Sequence, residues 1–200
     1  MSKPKLTYFD AAGRAFALRV SLFGAFGKDG WDDNRIKYDD WAELKPKTPL
    51  GSVPVFTLAD GTEIVQTDSI QRWAARQAGL YPEDLNASLL CDSITCTCFE
   101  ALNKGPPSSD KEGRENYAAG FLTQVCTYLE GKLQNEQWVL GGDSLTLADL
   151  MVFTVSDMIL TDDWTHIPAS FLNGFPKMKE HNERVKKNAL VAKYLTEYSS

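Results

Sequence analysis

The chain has 200 residues and a formal net charge of −6, with 43% hydrophobic and 24% charged residues. This composition is typical of a globular chain of one or two domains, and an acidic chain without a basic stripe is not suited to nucleic acid. No stretch approaches the ~18 uninterrupted apolar residues of a membrane span, and no signal-peptide pattern is found. We therefore expect a cytoplasmic protein that binds neither nucleic acid nor membranes.

The first 80 residues have the pattern of a small α/β domain. Lys5–Phe9 alternates like a short strand, residues 14–26 form an apolar helix, and residues 35–38 form a second strand. A crossover helix between two strands makes them parallel, whereas a later hairpin is antiparallel. The predicted order is therefore βαβαββα. Its remaining elements are a helical turn at 41–45, strands at 54–58 and 63–66, and a helix at 68–77.

After residue 84 the sequence predicts only helices. The segment Gly79-Leu80-Tyr81-Pro82 interrupts the pattern, so we expect one domain at 1–80 and an all-helical domain at 84–200. Thr146 and Asp149 fit the N-cap and N3 positions of a capping box, worth about 1 kcal/mol. The predicted helices are 83–102, 115–133, Leu147–Leu160, Pro176–Lys187 and Ala189–Tyr198, with a loop at 105–113.

Residues 48–69 indicate a binding site for a small anionic peptide. Pro54 cannot donate a ladder hydrogen bond and therefore belongs at the start of a strand, and Asp60-Gly61 is typical of a hairpin turn. The polar residues 66–68 follow, where a helix exposes unpaired N–H groups. A peptide could pair with the backbone at Val53 while its carboxylate binds this helix N-terminus.

The four cysteines do not predict a metal site. Cys91, Cys96, Cys98 and Cys126 match no zinc spacing, and only two histidines accompany them. We expect these cysteines to be small buried thiols in a helical core.

The order and spacing of these features resemble the cytosolic glutathione transferases, nearest to the sigma class that includes the haematopoietic prostaglandin D synthases. The resemblance implies a thioredoxin-like N-terminal domain, an all-α C-terminal domain, a homodimer and a cis peptide before Pro54. It also implies glutathione as co-substrate, with no prosthetic group or metal, and a hydrophobic electrophile as second substrate. The segments that carry it are Lys5-Leu-Thr-Tyr-Phe9, Gly13-Arg14-Ala15, Asp40-Trp41-Ala-Glu-Leu-Lys45, Pro49-Leu-Gly-Ser-Val-Pro54, Gln66-Thr67 and residues 144–150.

The resemblance gives catalytic roles to Tyr8 and Arg14. The Tyr8 hydroxyl would donate a hydrogen bond to the glutathione sulfur, and the Arg14 charge would favour the adjacent thiolate. A free thiol has a pKa of ~8.5, and one hydrogen bond to a charged group, roughly 1.5–3 kcal/mol, is enough to make thiolate abundant. The alternatives are a tyrosine packed at a strand end and a structural arginine. Because no cysteine or serine lies beside Tyr8, conjugation is favoured over disulfide reduction.

The resemblance also implies that Trp41 and Lys45 bind the glycine carboxylate of glutathione. Four residues apart, they would share a helical face that carries an indole N–H and an ammonium. The alternative is a hydrophobic anchor and a solvated charge.

Five further residues would bind the rest of the tripeptide. Val53, before Pro54, would pair through its backbone with the cysteinyl unit. Gln66 and Thr67 would hold the γ-glutamyl end. The alternative is ordinary capping of the helix, which would not exclude binding. Asp68 stands where a neutral residue is commoner, and would either cap the helix or meet the ligand's ammonium group.

In the sigma class, a carboxylate on the first helix of the C-terminal domain reaches across the dimer to the γ-glutamyl ammonium group of glutathione. This chain departs from the sigma class at that position. Cys96 stands at the corresponding position, with Asp92 and Glu100 four residues to either side.

The electrophile pocket is expected between residues 8–13 and 99–103. Its candidate walls are Phe9, Phe99 and the region around Trp164.

Together these residues predict conjugation of glutathione to hydrophobic electrophiles through a Tyr8-stabilised thiolate. Two alternatives stay open. One is a glutathione-dependent isomerase of the prostaglandin D synthase type. The other is a non-catalytic ligand-binding or structural protein, like the lens S-crystallins.

Overall fold

In the computed structural model, which describes residues 2–133 and 137–198, the N-terminal part is built on a four-stranded sheet with the order β2-β1-β3-β4. Strands β1 and β2 are parallel, whereas β1–β3 and β3–β4 are antiparallel, as the sequence predicts. The strands are β1 (Lys5–Phe9), β2 (Asp32–Ile36), β3 (Val55–Thr57) and β4 (Glu63–Ile64).

Among the described residues up to position 80, the α-helices are α1 (Phe16–Phe26), α2 (Trp41–Leu44) and α3 (Thr67–Gln77). A buried apolar cluster joins α1 and α3 to the sheet, with Leu6 and Phe56 from the strands packed against Leu18 and Ile70 from the helices. This is the thioredoxin-like arrangement. The start of α3 and the loop before β3 are thereby brought to the same edge of the domain.

The position of the second strand differs from the prediction. We expect it at 35–38, but the ladder with β1 runs over Asp32–Ile36. The strand lies at the edge of the sheet, and among its residues only Ile36 is buried. An edge strand with a polar exposed face lacks the apolar alternation on which the prediction depends.

The C-terminal part is helical. Its central helix α7 packs against α1, α4 and α8. Within the described ranges, no helix has both the length and the apolar character needed to cross a membrane. The helices are α4 (Leu85–Lys104), α5 (Lys111–Tyr117), α6 (Thr123–Lys132), α7 (Leu147–Leu160), α8 (Pro176–Lys187) and α9 (Ala189–Tyr198). The domain limits of 1–80 and 84–200 stay a prediction, and their outer ends lie outside the described residues.

The helix predicted at 115–133 begins earlier and is not continuous. Asp110 caps α5 by accepting a hydrogen bond from the Gly113 N–H at 2.9 Å, so the helix starts inside the predicted loop 105–113. A π-helical turn at Ala118–Leu122 then joins α5 to α6. The sequence does not indicate that the helix starts here, because Gly113 lies in the first turn and glycine is a poor helix former.

The predicted capping box at the start of α7 is confirmed and extends beyond a local cap. Asp149 Oδ2 accepts the Thr146 N–H at 2.8 Å and the Thr146 hydroxyl at 2.7 Å. Asp149 Oδ1 accepts the Val139 N–H at 2.7 Å and lies 2.9 Å from His181 Nε2. Since Asp149 and His181 are both fully buried, one carboxylate ties α7 to α8 and to the segment before it.

A buried arginine fixes the turn that follows β1. Arg19 is 1% exposed and forms an ion pair with Asp33 at 3.0 Å. Its terminal nitrogens donate to the carbonyls of Ala11 and Phe9 at 2.6 and 3.0 Å. Burying this charge is tolerable because its donors are paired. The backbone next to Tyr8 is thereby held in one conformation.

Candidate functional site

A cavity of about 590 Å³ lies between the loop before β3, the first turn of α3 and helix α4. It brings together six of the nine residues predicted to bind glutathione, which lie up to 54 positions apart in the chain. These six are Arg14, Val53, Pro54, Gln66, Thr67 and Asp68. The other lining residues are Leu50, Ser52, Cys96, Phe99, Glu100, Asn103 and Lys104.

The peptide-binding edge of this cavity has the predicted local form. The Val53–Pro54 peptide bond is cis, as the resemblance implies. Gln66 has a φ of 78°, a backbone conformation that is uncommon outside glycine and that clusters at ligand sites. The Gln66 side chain makes no capping hydrogen bond to α3, so ordinary capping does not explain it. The first N–H groups of α3 therefore face a cavity that can hold a carboxylate.

Arg14 connects the turn after β1 to both walls of the cavity. Its guanidinium donates to the Leu102 carbonyl on α4 at 3.2 Å, and its own carbonyl accepts from Gln71 Nε2 on α3 at 3.2 Å. In residues 2–133 and 137–198 we find no carboxylate within ion-pair distance of Arg14. Its positive charge is therefore available to an anion in the cavity.

Tyr8 does not line the cavity itself, but its hydroxyl is adjacent to Arg14. A Cβ atom placed on Gly13 would lie 3.6 Å from the Tyr8 Oη. Burial raises the pKa of the Tyr8 hydroxyl, while the guanidinium and the backbone N–H of Arg14 act in the opposite direction. The net effect raises the pKa of the Tyr8 hydroxyl above its ordinary value. The hydroxyl is therefore protonated at neutral pH and can donate a hydrogen bond.

Trp41 and Lys45 lie outside the lining of the main cavity. Trp41 packs edge-on against Phe9 at 5.4 Å between ring centroids and lines a smaller cavity of about 150 Å³ that it shares with Val53. Lys45 follows the last residue of α2 and runs along Gly51. The structure therefore places neither residue in the main cavity, although Trp41 shares the smaller cavity with Val53. The role of Trp41 and Lys45 with the glycine carboxylate stays a prediction.

Of the predicted electrophile walls, the structure places Phe99 in the cavity. Phe9 instead stacks on Tyr38 at 4.5 Å, and Trp164 is buried against Tyr117 at 5.9 Å. The α4 wall is otherwise polar, since Glu100, Asn103 and Lys104 share it. Asn103 lies at the end of the predicted range 99–103. The sequence reasoning missed Lys104, which lies a helical turn beyond Glu100 on α4, a spacing that could have indicated it.

Both carboxylates near Cys96 are paired with cations. Glu100 lines the cavity but forms an ion pair with Lys104 at 2.6 Å. Asp92 lies outside the lining and is 3.5 Å from Arg72 on α3. Cys96 itself is exposed and lines the cavity.

The expectation of four buried cysteines is correct for three and wrong for Cys96. Burial raises the pKa of Cys91 to about 11 and that of Cys126 to about 12, and it also raises the pKa of Cys98. Thiolate is the reactive form. The helical periodicity of α4 explains the difference, because Cys91 and Cys98 share its buried face and Cys96 does not.

We predict that a thiol reagent at pH 8 modifies Cys96 alone in the native chain and all four cysteines after denaturation. We expect a glutathione thioether, which lacks a free thiol, to bind in this cavity and to slow the native reaction, because Cys96 lines the cavity. Mass spectrometry of the labelled chain checks both results. The Cys96→Ser variant serves as control and should take up no label when native. Fast native labelling of Cys91 or Cys126 would contradict the burial described above.

Comparisons with known proteins identify the family. The model for "Glutathione S-transferase, C-terminal domain" matches residues 94–198. Glutathione S-transferase 1 of Ascaris suum is 31% identical over 211 residues, covering 98% of this chain and 97% of the relative. Hematopoietic prostaglandin D synthase of Gallus gallus is 28% identical over 200 residues, covering 98% and 96%. A crystal structure of a monomeric glutathione S-transferase from the human hookworm parasite Necator americanus has a TM-score of 0.80 at 25% identity, covering 98% and 97%.

The fold and these similarities define a glutathione S-transferase-like protein. The match extends over essentially the whole length of this chain and of the Ascaris relative. The chain belongs to the glutathione S-transferase family.

Proposed function

We propose that this protein conjugates reduced glutathione to hydrophobic electrophiles, with the glutathione thiol held as thiolate by Tyr8. The observation that carries the proposal is the cavity in which Arg14, Val53, Pro54, Gln66, Thr67 and Asp68 converge. The first-turn N–H groups of α3 suit a carboxylate, and the backbone at Val53, just before β3, could pair with a peptide strand. Glutathione supplies both groups.

The chemistry follows from the position of the Tyr8 hydroxyl beside Arg14. A protonated phenol donates a hydrogen bond to a thiolate, whereas an ionised one would repel it. The raised pKa of Tyr8 keeps the hydroxyl a donor, and the adjacent Arg14 charge favours the anionic sulfur further. The thiolate then attacks an electrophile held against Phe99, and a carbon–sulfur bond forms as the leaving group departs.

We also propose that the protein acts as a cytoplasmic homodimer, with residues 1–80 binding glutathione and residues 84–200 supplying the electrophile wall and the dimer contacts. The support is the family, in which dimers are typical, and the position of Phe99 on α4. The absence of a metal or prosthetic group stays part of this proposal.

The proposal is tested by passing the purified chain over immobilised glutathione and assaying the eluted protein with a chloronitrobenzene. We expect retention, elution by free glutathione, and formation of the thioether product. Retention without conjugation would favour the non-catalytic alternative, and no retention would contradict the proposed site.

A glutathione-dependent isomerase is the second candidate, because a relative named for prostaglandin D synthesis matches 98% of the chain. Both reactions would use the same thiolate. Incubation with a prostaglandin endoperoxide separates them: an isomerised product without loss of glutathione would favour the isomerase, whereas conjugation alone would favour the transferase.

A further inference from the structure

We infer that Asn103 is a further catalytic residue, which donates a hydrogen bond to the negative charge that develops on an oxygen atom of the electrophile during attack. The inference rests on the proposed function, because the electrophile is the one that the glutathione thiolate attacks. Tyr8 and Arg14 act on the sulfur, whereas Asn103 acts on the second substrate.

The attack moves negative charge from the sulfur to the electrophile. With an α,β-unsaturated ketone, a lone pair of the thiolate forms the carbon–sulfur bond at the β-carbon, and the π electrons shift until the carbonyl oxygen is an enolate oxygen. The α-carbon then takes a proton from water, which replaces the proton that the thiol released on ionisation, and the ketone is restored. A donor fixed at this oxygen lowers the barrier, because the charge that it stabilises grows toward the transition state.

Asn103 lies in the last turn of α4, close to the place where the sulfur is proposed to bind. The Arg14 guanidinium donates to the Leu102 carbonyl at 3.2 Å, and the backbone nitrogen of Asn103 is bonded to that same carbonyl carbon. A Cβ atom on Gly13, the residue before Arg14, would lie 3.6 Å from the Tyr8 Oη. Asn103 is therefore the neighbour, on the α4 side, of the two residues proposed to act on the sulfur.

The position of Phe99 places an electrophile within reach of Asn103. The two residues are four apart on α4, so they are neighbours on one face of the helix, and both line the cavity. The Phe99 ring can pack against an apolar part of the electrophile, while the Asn103 amide can donate to an oxygen. An unsaturated ketone with an aromatic substituent has both of these parts.

The Asn103 side chain is available as a donor. It is exposed and lines the cavity, and its amide has no hydrogen-bond partner among residues 2–133 and 137–198. Lys104, on the same wall, is already paired, because its Nζ lies 2.6 Å from Glu100 and 4.2 Å from the centroid of the Phe121 ring. An amide N–H also keeps its proton, so Asn103 stabilises the charge without transferring a proton.

The end of α4 can accommodate this charge because its own carbonyl groups are partly occupied. Free carbonyls at the C-terminus of a helix carry partial negative charge and repel an anion. Here the Ala101 carbonyl accepts the Tyr117 hydroxyl at 2.6 Å, and the Leu102 carbonyl accepts the Arg14 guanidinium at 3.2 Å. The Asn103 amide adds a donor at the same end of the helix.

The test compares two electrophiles that share a phenyl group. Attack on benzylideneacetone places negative charge on a carbonyl oxygen, whereas attack on benzyl chloride breaks the carbon–chlorine bond and forms no oxyanion. Asn103→Leu keeps the size of the side chain and removes its donors. It should lower kcat/KM for benzylideneacetone about tenfold, the lower end for one hydrogen bond to a charged group because the donor is exposed. It should leave kcat/KM for benzyl chloride nearly unchanged. Steady-state kinetics of the full chain with excess glutathione measure the ratio of the two values.

A second variant and a control accompany this measurement. Asn103→Asp keeps the shape of the side chain, but a carboxylate has no donor, so the ratio should fall at least as far as in Asn103→Leu. Asn86→Leu is the same substitution at an exposed residue in the first turn of α4, outside the cavity lining, and should leave the ratio unchanged.

A wild-type ratio in both Asn103 variants would overturn the role of Asn103 while leaving the proposed function intact. Equal losses with the two electrophiles would also overturn it, because they would show a general effect on the site. Failure of the wild type to conjugate these compounds or a chloronitrobenzene would instead contradict the proposed function. Since both rates come from one preparation, their ratio does not depend on the fraction of a variant that is folded.

Discussion

Replacing Tyr8 with phenylalanine is expected to lower the turnover number for conjugation at least about tenfold while leaving glutathione affinity nearly unchanged. The phenol supplies one hydrogen bond to the sulfur anion, and such a bond is worth roughly 1.5–3 kcal/mol, which corresponds to a factor of about 10–150 in rate. Affinity should persist because the tripeptide is held by the cavity residues around Val53 and Thr67. Steady-state kinetics with a chloronitrobenzene and a separate binding titration measure the two effects.

The matched control for this prediction is Tyr38→Phe. Tyr38 is 67% exposed and stacks on Phe9 close to the site, but its hydroxyl has no proposed role. This variant should keep wild-type turnover. Equal turnover of Tyr8→Phe and the wild type would refute the role of the phenol, and a matching loss in Tyr38→Phe would show that the effect is not specific to Tyr8.

Replacing Asp149 with alanine is expected to lower the free energy of unfolding by about 3 kcal/mol or more. The variant loses a helix cap, worth about 0.5–2 kcal/mol, and leaves one buried and one partly buried N–H donor unpaired, at about 1–3 kcal/mol for a buried donor. These donors are the N–H groups of Thr146 and Val139, and His181 loses its partner as well. Urea denaturation measures the change.

Asp84→Ala is the comparison for this variant. Asp84 caps α4 by accepting the N–H groups of Asn86 and Ala87 at 3.0 and 2.9 Å, but these hydrogen bonds are exposed. We expect the ordinary loss for a solvent-exposed cap, about 1 kcal/mol. If Asp149→Ala were no more destabilising than Asp84→Ala, the buried network would contribute nothing beyond the cap.

Elements specified by local chemistry could be predicted from the sequence. Asp60-Gly61 forms the turn between β3 and β4, with Gly61 at a φ of 92° and the Asp60 carboxylate accepting the Thr62 N–H at 2.9 Å. The capping box placed the start of the helix at Leu147–Leu160 correctly, because its two members are three residues apart. Signals of this kind need no knowledge of the tertiary structure.

Elements that depend on tertiary contacts were predicted less well. The edge strand β2 is defined by pairing with β1, and its polar residues carry no periodic signal of their own. The residues of the candidate site also divide into those that a local sequence pattern predicts and those that depend on tertiary contacts. Residues near one another in sequence, such as Gln66 to Asp68, were found together. The contacts of Arg72 with Asp92 and of Arg14 with the Leu102 carbonyl, however, depend on how α4 packs against the N-terminal part, which no local sequence pattern indicates.

A pH titration of the bound thiol is the decisive measurement of whether Tyr8 keeps the glutathione sulfur ionised. The ultraviolet absorbance of the thiolate, followed against pH in the complex of glutathione with the wild type, gives the pKa of the bound sulfur. We predict that the pKa of the bound thiol lies about 1–2 below the ~8.5 of a free thiol and returns toward that value in Tyr8→Phe. A bound thiol that titrates at its free pKa in the wild type, or one whose lowered pKa survives the loss of the phenol, would contradict it.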